Sequence, residues 1–393
     1  SRAMVESASG SVELALGLVG VMTLFLGLMK VAEKGGLLTI VARLVRPLMV
    51  RLFPEVPAEH PAMGGMILNI SANALGLGNA ATPFGIRAIQ ELDKLNPRPG
   101  TATNAMVLFL AINTSSVTLL PTGVIALRAA AGSQDPAGIL ATTLFATTCS
   151  TFAAIVAARL YQRIFREKAP AGCGPGQGAE VPLSEPGDEI EETGGYPLWI
   201  SLVALLAIMA FIPLTIAYGR AISPWIIPGL MVGFLGFGMI RKIRVYEEFV
   251  EGAKEGFQVA VRIIPYLVAI LVAVGMFRAS GAMEAMVEWL GPWTGRLGMP
   301  AEALPMALLR PLSGSGAYGI LASIIQNPAV GPDSYTGYLV STLQGSTETT
   351  FYVLAVYFGA VQVRRIRHAL AAALTADFVG IAGAVAVCSY LYG

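Results

Sequence analysis

Eight runs of this chain are long and apolar enough to cross a bilayer, at about residues 11–32, 103–127, 137–160, 196–218, 222–240, 256–277, 334–360 and 368–391. A spanning helix needs roughly 20 mostly apolar residues. That many such runs in one chain predicts an all-α polytopic membrane protein. Composition agrees, since 13% of residues are charged and 55% hydrophobic, with a mean hydropathy of +0.66. A soluble domain carries about 25% charged residues. The net charge of +1 and the lack of a dense basic tract give no footing for nucleic acid. Cys149 and Cys388 lie in apolar runs and Cys173 in a Gly/Pro-rich stretch, which predicts free thiols. No basic segment leading to a cleavage site marks a signal peptide.

Two more apolar stretches, 62–92 and 302–326, are interrupted at their centres by Gly, Ser and Asn. Each follows an amphipathic stretch, 37–53 and 282–297, whose apolar residues recur at helical spacing, as in a helix lying at the membrane interface. Residues 167–195 mix Gly and Pro with Glu180, Glu185, Asp188, Glu189, Glu191 and Glu192. Such a segment cannot bury a core and reads as a flexible acidic linker. It separates a first unit (1–166) from two connecting helices (196–245) and a second unit (246–393). Both units run in the same order: helix, amphipathic helix, broken apolar segment, long helix with a polar interruption, final helix. The order predicts a duplication.

Charge then sets the topology. With the broken segments as re-entrant hairpins, the chain crosses about eight times. Lys34, Arg43, Arg46, Arg51, Lys94, Arg98, Arg159, Arg163, Arg241, Lys242, Arg244 and Arg364 then gather on one side, which the positive-inside rule makes cytoplasmic. Full crossing of the broken segments would carry the clusters at 159–168 and 241–244 outside. The hairpin arrangement places both termini outside and the linker in the cytoplasm. One hairpin then enters from each side, giving two inverted repeats, each with an interfacial helix, a re-entrant hairpin and a discontinuous transmembrane helix.

Interrupted helices persist at membrane depth only where they line a cavity or bury against protein. The interruptions are therefore the expected binding site. The first hairpin offers Asn69, Ser71, Asn73 and Asn79, or these residues simply tie its backbone together. The first broken helix offers Asn113, Thr114, Ser115 and Ser116 ahead of Pro121. In the second unit the hairpin brings Arg310, Ser313 and Ser315, and the broken helix Gln344, Ser346, Thr347 and Glu348. A carboxylate at bilayer depth is costly and marks function. Glu348 is placed to hold a cation, take a coupling proton, or pair with Arg310, and Asp377 in the last helix is a second coupling candidate. Two histidines near segment ends and no Cys/His spacing exclude a zinc site. No phosphate-binding glycine loop appears, and Gly314-Ser315-Gly316 lacks a partnering histidine, so no enzymatic role is expected.

At these motifs a family becomes recognisable. ILNISANALGLGNAATPFGIRAIQEL (67–92) followed by TNAMVLFLAINTSSVTLLPT (103–122) resembles spore maturation protein A. ALLRPLSGSGAYGILASII (307–325) followed by STLQGSTETTFYVLAVYFG (341–359) resembles spore maturation protein B. Both belong to the nucleoside-recognition, or Gate, group, and the core resembles concentrative nucleoside transporters. The resemblance implies inverted hairpins meeting near the membrane centre of a bacterial inner membrane and a sodium or proton gradient as driver, without other cofactors.

The leading expectation is a secondary transporter of a small polar organic solute, nucleoside-like in its resemblance. One rival is a non-transporting scaffold for envelope or spore assembly. Another is an inorganic-ion pathway, although the polar clusters lack the Cys, Met and His ligands soft metals prefer. Gly- and Ser-rich helix faces leave homodimerisation open.

Overall fold

The computed structural model describes residues 12, 19–20, 22–77, 81–164 and 195–393. Asn79 and nearly all of the acidic stretch lie outside the described residues. Among the described residues the regular structure is helical, and an isolated bridge between Thr101 and Arg365 is the one β-type pairing. The first half comprises α1 (22–34), α2 (Leu37–Leu52), α3 (Pro61–Ala74), α4 (Ala81–Lys94), α5 (Asn104–Thr114), α6 (Thr122–Ala130) and α7 (Ile139–Ile164). After α8 (Leu198–Ile240) come α9 (Val245–Ala279), α10 (Ala282–Thr294), α11 (Leu304–Leu309), α12 (Gly314–Ile325), α13 (Tyr335–Ser346), α14 (Thr350–Ala360) and α15 (Ala369–Tyr392).

Local chemistry explains several boundaries. His60 caps α3, its side chain accepting from Ala62 N, with Pro61 at the first helical position where its missing N–H costs nothing. Thr103, Ser313 and Ser334 cap α5, α12 and α13 by accepting from Met106, Gly316 and Gly337 N–H. The stretches 62–92 and 302–326 each fold as a pair of helices, α3 with α4 and α11 with α12. The long helices expected at 103–127 and 334–360 are each broken, between Thr114 and Thr122 and between Ser346 and Thr350.

Element α8 differs from expectation, because two separate helices were anticipated and the backbone is helical across all 43 residues. Straight, it would reach about 65 Å. Its ends contradict that length. Tyr196 N donates to Arg43 O at 3.2 Å, and at the other end Phe237 and Val31 close on Gly35 and Gly238. Arg43 and Gly35 are separated by about 12 Å of helix, so α8 doubles back on itself.

Contacts sort the helix ends onto two faces. On the near face lie the end of α1, α2, both ends of α8 and the start of α9. There too Gly100 O accepts from Arg364 and Arg365 N–H at 2.9 and 3.0 Å, joining the segment before α5 to the segment after α14. On the far face the end of α6 meets the start of α13: Arg128 donates to Pro332 O at 2.7 Å and to Ser341 Oγ at 3.2 Å. The two broken helices therefore run antiparallel. Tyr392 Oη donates to Gly138 O at 3.0 Å, so α15 also ends beside the start of α7.

The buried core forms two apolar clusters, one around Ile125, Leu321 and Leu343 and one around Met66, Phe109 and Phe358. Outside it, large apolar side chains remain exposed: Phe152 and Val156 on α7, Leu206 and Val232 on α8, Phe378 on α15. So much exposed apolar surface suits a membrane, and exposed Trp199, Trp289 and Trp293 suit the headgroup boundary. The chain is a helical membrane protein.

Candidate functional site

The two helix breaks meet. Glu348 N donates to Thr114 O at 2.8 Å, so the backbone of one break satisfies the open carbonyl end of the other half-helix. Each helix pair touches the break of its own half. Leu119 N donates to Ala74 O at 2.8 Å, and Phe351 N donates to Pro311 O at 3.1 Å. Gly76, at φ +73°, allows the first approach, because a Cβ there would lie 2.1 Å from Leu120 O. A Cβ on Gly314 would lie 2.7 Å from Thr349 Oγ1.

The asparagines expected to bind ligand are engaged with one another. Asn113 Nδ2 donates to Asn69 Oδ1, and Asn69 Nδ2 donates to Ala81 O at 2.8 Å and Tyr357 Oη at 3.1 Å. All three side chains are buried. The cluster ties α3, α5 and α14 together across the two halves. Asn73 Nδ2 reaches Ser116 Oγ at 3.4 Å, joining the first helix pair to the first break. Thr114 and Ser115 hydroxyls donate to Ala111 O and that of Ser116 to Ile112 O, the back-bonding common to helix ends. Ser71 is buried, and its Oγ has no partner among the described residues.

In the second half Arg310 is 6% exposed and its donors are committed. Nε donates to Gln344 O at 3.0 Å, Nη1 to Thr349 Oγ1 at 3.1 Å, and Nη2 to Thr347 O. Those carbonyls close the C-terminal end of α13, where a cation opposes the negative end of the helix dipole. Glu348 Oε2 sits 3.8 Å from Arg310 Nη2, an ion pair looser than a hydrogen bond, and its side chain is 47% exposed. It is the carboxylate of this meeting point that remains open. Ser313 is spent on its cap, and Ser346 Oγ donates to Leu343 O at 3.0 Å. Ser315 lies in the first turn of α12. Gln344 is buried and its Oε1 has no partner among the described residues. Asp377 is 3% exposed; Thr350 Oγ1 donates to its Oδ2 at 2.7 Å.

The structure brings Asn69 to Asn113, Asn73 to Ser116, and Arg310 to Gln344, Thr347 and Glu348, whereas among the described residues Ser71 and Ser315 show no bond to the other expected residues, and Asn79 lies outside them. Sequence reasoning missed Tyr357 and Tyr318. A Cβ on Gly85 would lie 2.1 Å from Tyr357 Oη and one on Gly123 2.6 Å from Tyr318 Oη, so each hydroxyl is set against a glycine of the other half. The available signal was a tyrosine inside an apolar helix, whose buried hydroxyl needs a partner. Among the described residues no group of three His, Cys, Asp or Glu side chains could hold a metal. An apolar cleft of about 360 Å³, lined by Leu119, Leu140, Leu144, Ala207 and Ile208, lies beside the first break and contributes no polar side chain.

The nucleoside recognition (Gate) family model matches residues 15–162 and 260–364. Spore maturation protein B of Bacillus subtilis (strain 168) is 46% identical over 167 residues, covering 42% of this chain and 93% of that protein. Spore maturation protein A of the same organism is 44% identical over 161 residues, 41% of this chain and 82% of that protein. Among solved structures, a doubly substituted CNTnw in an outward-facing state aligns at 14% identity and TM-score 0.44 over 96% of this chain and 76% of that one. The Alcanivorax borkumensis YdaH transporter aligns at 17% identity and TM-score 0.45 over 98% and 86%. The chain belongs to the nucleoside-recognition (Gate) family.

Proposed function

We propose that this protein is an ion-gradient-coupled secondary transporter of a small polar organic solute, bound where the two helix breaks meet. The observation that carries the reading is the meeting itself. Two antiparallel broken helices are joined by a backbone hydrogen bond from Glu348 N to Thr114 O, and the Glu348 side chain stays half exposed there while Arg310 is consumed by carbonyls. Broken helices whose ends meet beside a half-exposed carboxylate are the means by which carriers hold solute and ion. Glu348 would take a cationic or hydroxyl-bearing group, and Gln344, with an unpartnered oxygen, would accept from it. The family description makes nucleosides the first solutes to try.

In this reading residues 1–166 and 246–393 are two inverted repeats joined by a cytoplasmic linker and two crossings within 196–245. The pairs α3–α4 and α11–α12 are re-entrant hairpins from opposite faces. The arginine-rich near face is cytoplasmic, both termini lie outside, and the bilayer is that of a bacterial inner membrane. The coupling ion is Na+ or H+, with Glu348 and Asp377 as its carboxylates.

The test is a thermal-shift panel of nucleosides, nucleobases, amino acids, polyamines and small carboxylates on detergent-purified protein, with and without sodium, followed by gradient-driven uptake into liposomes. A ligand of the folded state raises apparent stability with its concentration. The proposal expects a saturable shift that Glu348→Gln abolishes; unchanged uptake by that variant sinks the role given to Glu348. A scaffold, the reading favoured by the internal satisfaction of Asn69 and Asn113, predicts no uptake and tolerance of Glu348→Gln.

A further inference from the structure

We infer that Asp377 is a proton-binding site that links proton uptake to the tip of the second helix pair. Its use in transport rests on the carrier reading; the binding itself does not. Asp377 lies in the middle of α15, 3% exposed, and only Oδ2 is satisfied, by the hydroxyl of Thr350. Oδ1 is buried without a partner among the described residues. A half-satisfied buried carboxylate is expensive as an anion and cheap once a proton occupies the open oxygen.

Its surroundings do not supply a counter-charge in contact. Helices α5, α7, α13 and α14 pack on α15. Of these, α7 brings Cys149, whose Cβ lies near Gly383, and Tyr161, which bonds Thr375 at 3.1 Å. Tyr335 and Tyr338 of α13 lie toward the far end of α15, and Tyr357 of α14 belongs to the asparagine cluster. The charge of Arg310 reaches Asp377, but its donors are given to Gln344, Thr347 and Thr349. Nor do the described residues form a cage for a metal ion, since hard cations such as Ca2+ gather about six or more oxygens. The neighbouring Ser150 hydroxyl donates to Ala376 O, and Thr347 presents its methyl group toward Gly380.

The mechanical link is short. Thr350 opens α14, and the next residue, Phe351, donates its N–H to Pro311 O at the tip between α11 and α12. A proton added to Oδ1 from bulk water removes the negative charge from the α14 N-terminus, where the helix dipole favours an anion. Loss of that attraction loosens the first turn of α14 and with it the contact to the tip. The proton returns to water when the anion is restored, and no other reactant is consumed.

Infrared difference spectra of detergent-purified protein, recorded through a pH titration, read the carboxyl directly. The expected result is a protonated-carboxyl band that appears on acidification, is lost in Asp377→Asn, survives in Glu348→Gln and is indifferent to sodium. If Asp377→Asn fails to fold, Thr350→Val keeps the carboxyl and removes its hydrogen bond, so the same band should titrate at a different pH. A band that persists in Asp377→Asn, does not move in Thr350→Val, or is suppressed by sodium but not by choline overturns the assignment. Absence of uptake with the band behaving as stated would sink the carrier reading alone. Proton-driven uptake surviving in Asp377→Asn would sink the coupling role alone.

Discussion

Tyr357 shows how one hydroxyl can hold two halves of a molecule. It accepts from Asn69 and lies 3.4 Å from Asn113 Nδ2, both from the first half, while it belongs to the second. Tyr357→Phe leaves those buried amide donors short of an acceptor, a loss of about 1–3 kcal/mol, and chemical denaturation in detergent should show it. The polar residues of the site were legible because Asn113–Ser116 and Gln344–Glu348 interrupt otherwise apolar runs. Their roles were not, since whether a polar group faces ligand or backbone depends on partners far away in sequence. Arg310 reads as a site residue or as a partner of Glu348, and its hydrogen bonds to Gln344 O and Thr347 O, which close the end of α13, could not be read from the sequence.

Among the elements, the breaks and the hairpin-like pairs followed from glycine and polar crowding, whereas α8 and α11 did not. Element α11 is only six residues long, because Pro311 and the cap at Ser313 end it early. Turning of α8 is invisible to apolar patterning, since the residues on either side are equally suited to lipid. The approach of α12 to α6 was equally hidden, because it depends on a missing side chain. Tyr318 Oη would lie 2.6 Å from a Cβ on Gly123, but its ring carbon Cζ would be 3.4 Å away. Gly123→Ala should thus destabilise by about 1–3 kcal/mol through overpacking. Adding Tyr318→Phe removes the clashing oxygen, so the double variant should be more stable than the sum of the single losses implies. Strict additivity in urea unfolding would show that α12 and α6 do not meet as described.

At the scale of the whole molecule, the halves are pinned at both faces and packed against each other between them, most of all by α7 on α15. The near-face clamp is backbone, from Gly100 and Ala102 to Arg364 and Arg365, with Arg367 donating to Asn104 Oδ1 at 2.9 Å. The far-face clamp is charged. Arg128, fully buried, bonds Asp333 at 3.0 Å and lies 4.2 Å above the Tyr338 ring, while Gln134 N donates to Asp333 Oδ2 at 2.8 Å. Every one of these contacts joins the first half to the second, and none involves the acidic stretch. The Bacillus subtilis relatives are two separate proteins, each matching about two-fifths of this chain. Residues 1–166 and 196–393, produced together as separate chains, should therefore assemble and co-purify in detergent. Arg128 is fully buried and donates to several groups of the second half, while Asp333 is partly exposed, so Arg128→Ala should weaken co-purification of the split chains while the intact chain still inserts. Asp333→Asn, which keeps a hydrogen-bond acceptor at a partly exposed position, should weaken the assembly less. If the split halves associate equally well with Arg128→Ala, the far-face clamp is not what joins them, and the apolar packing of α7 on α15 must suffice.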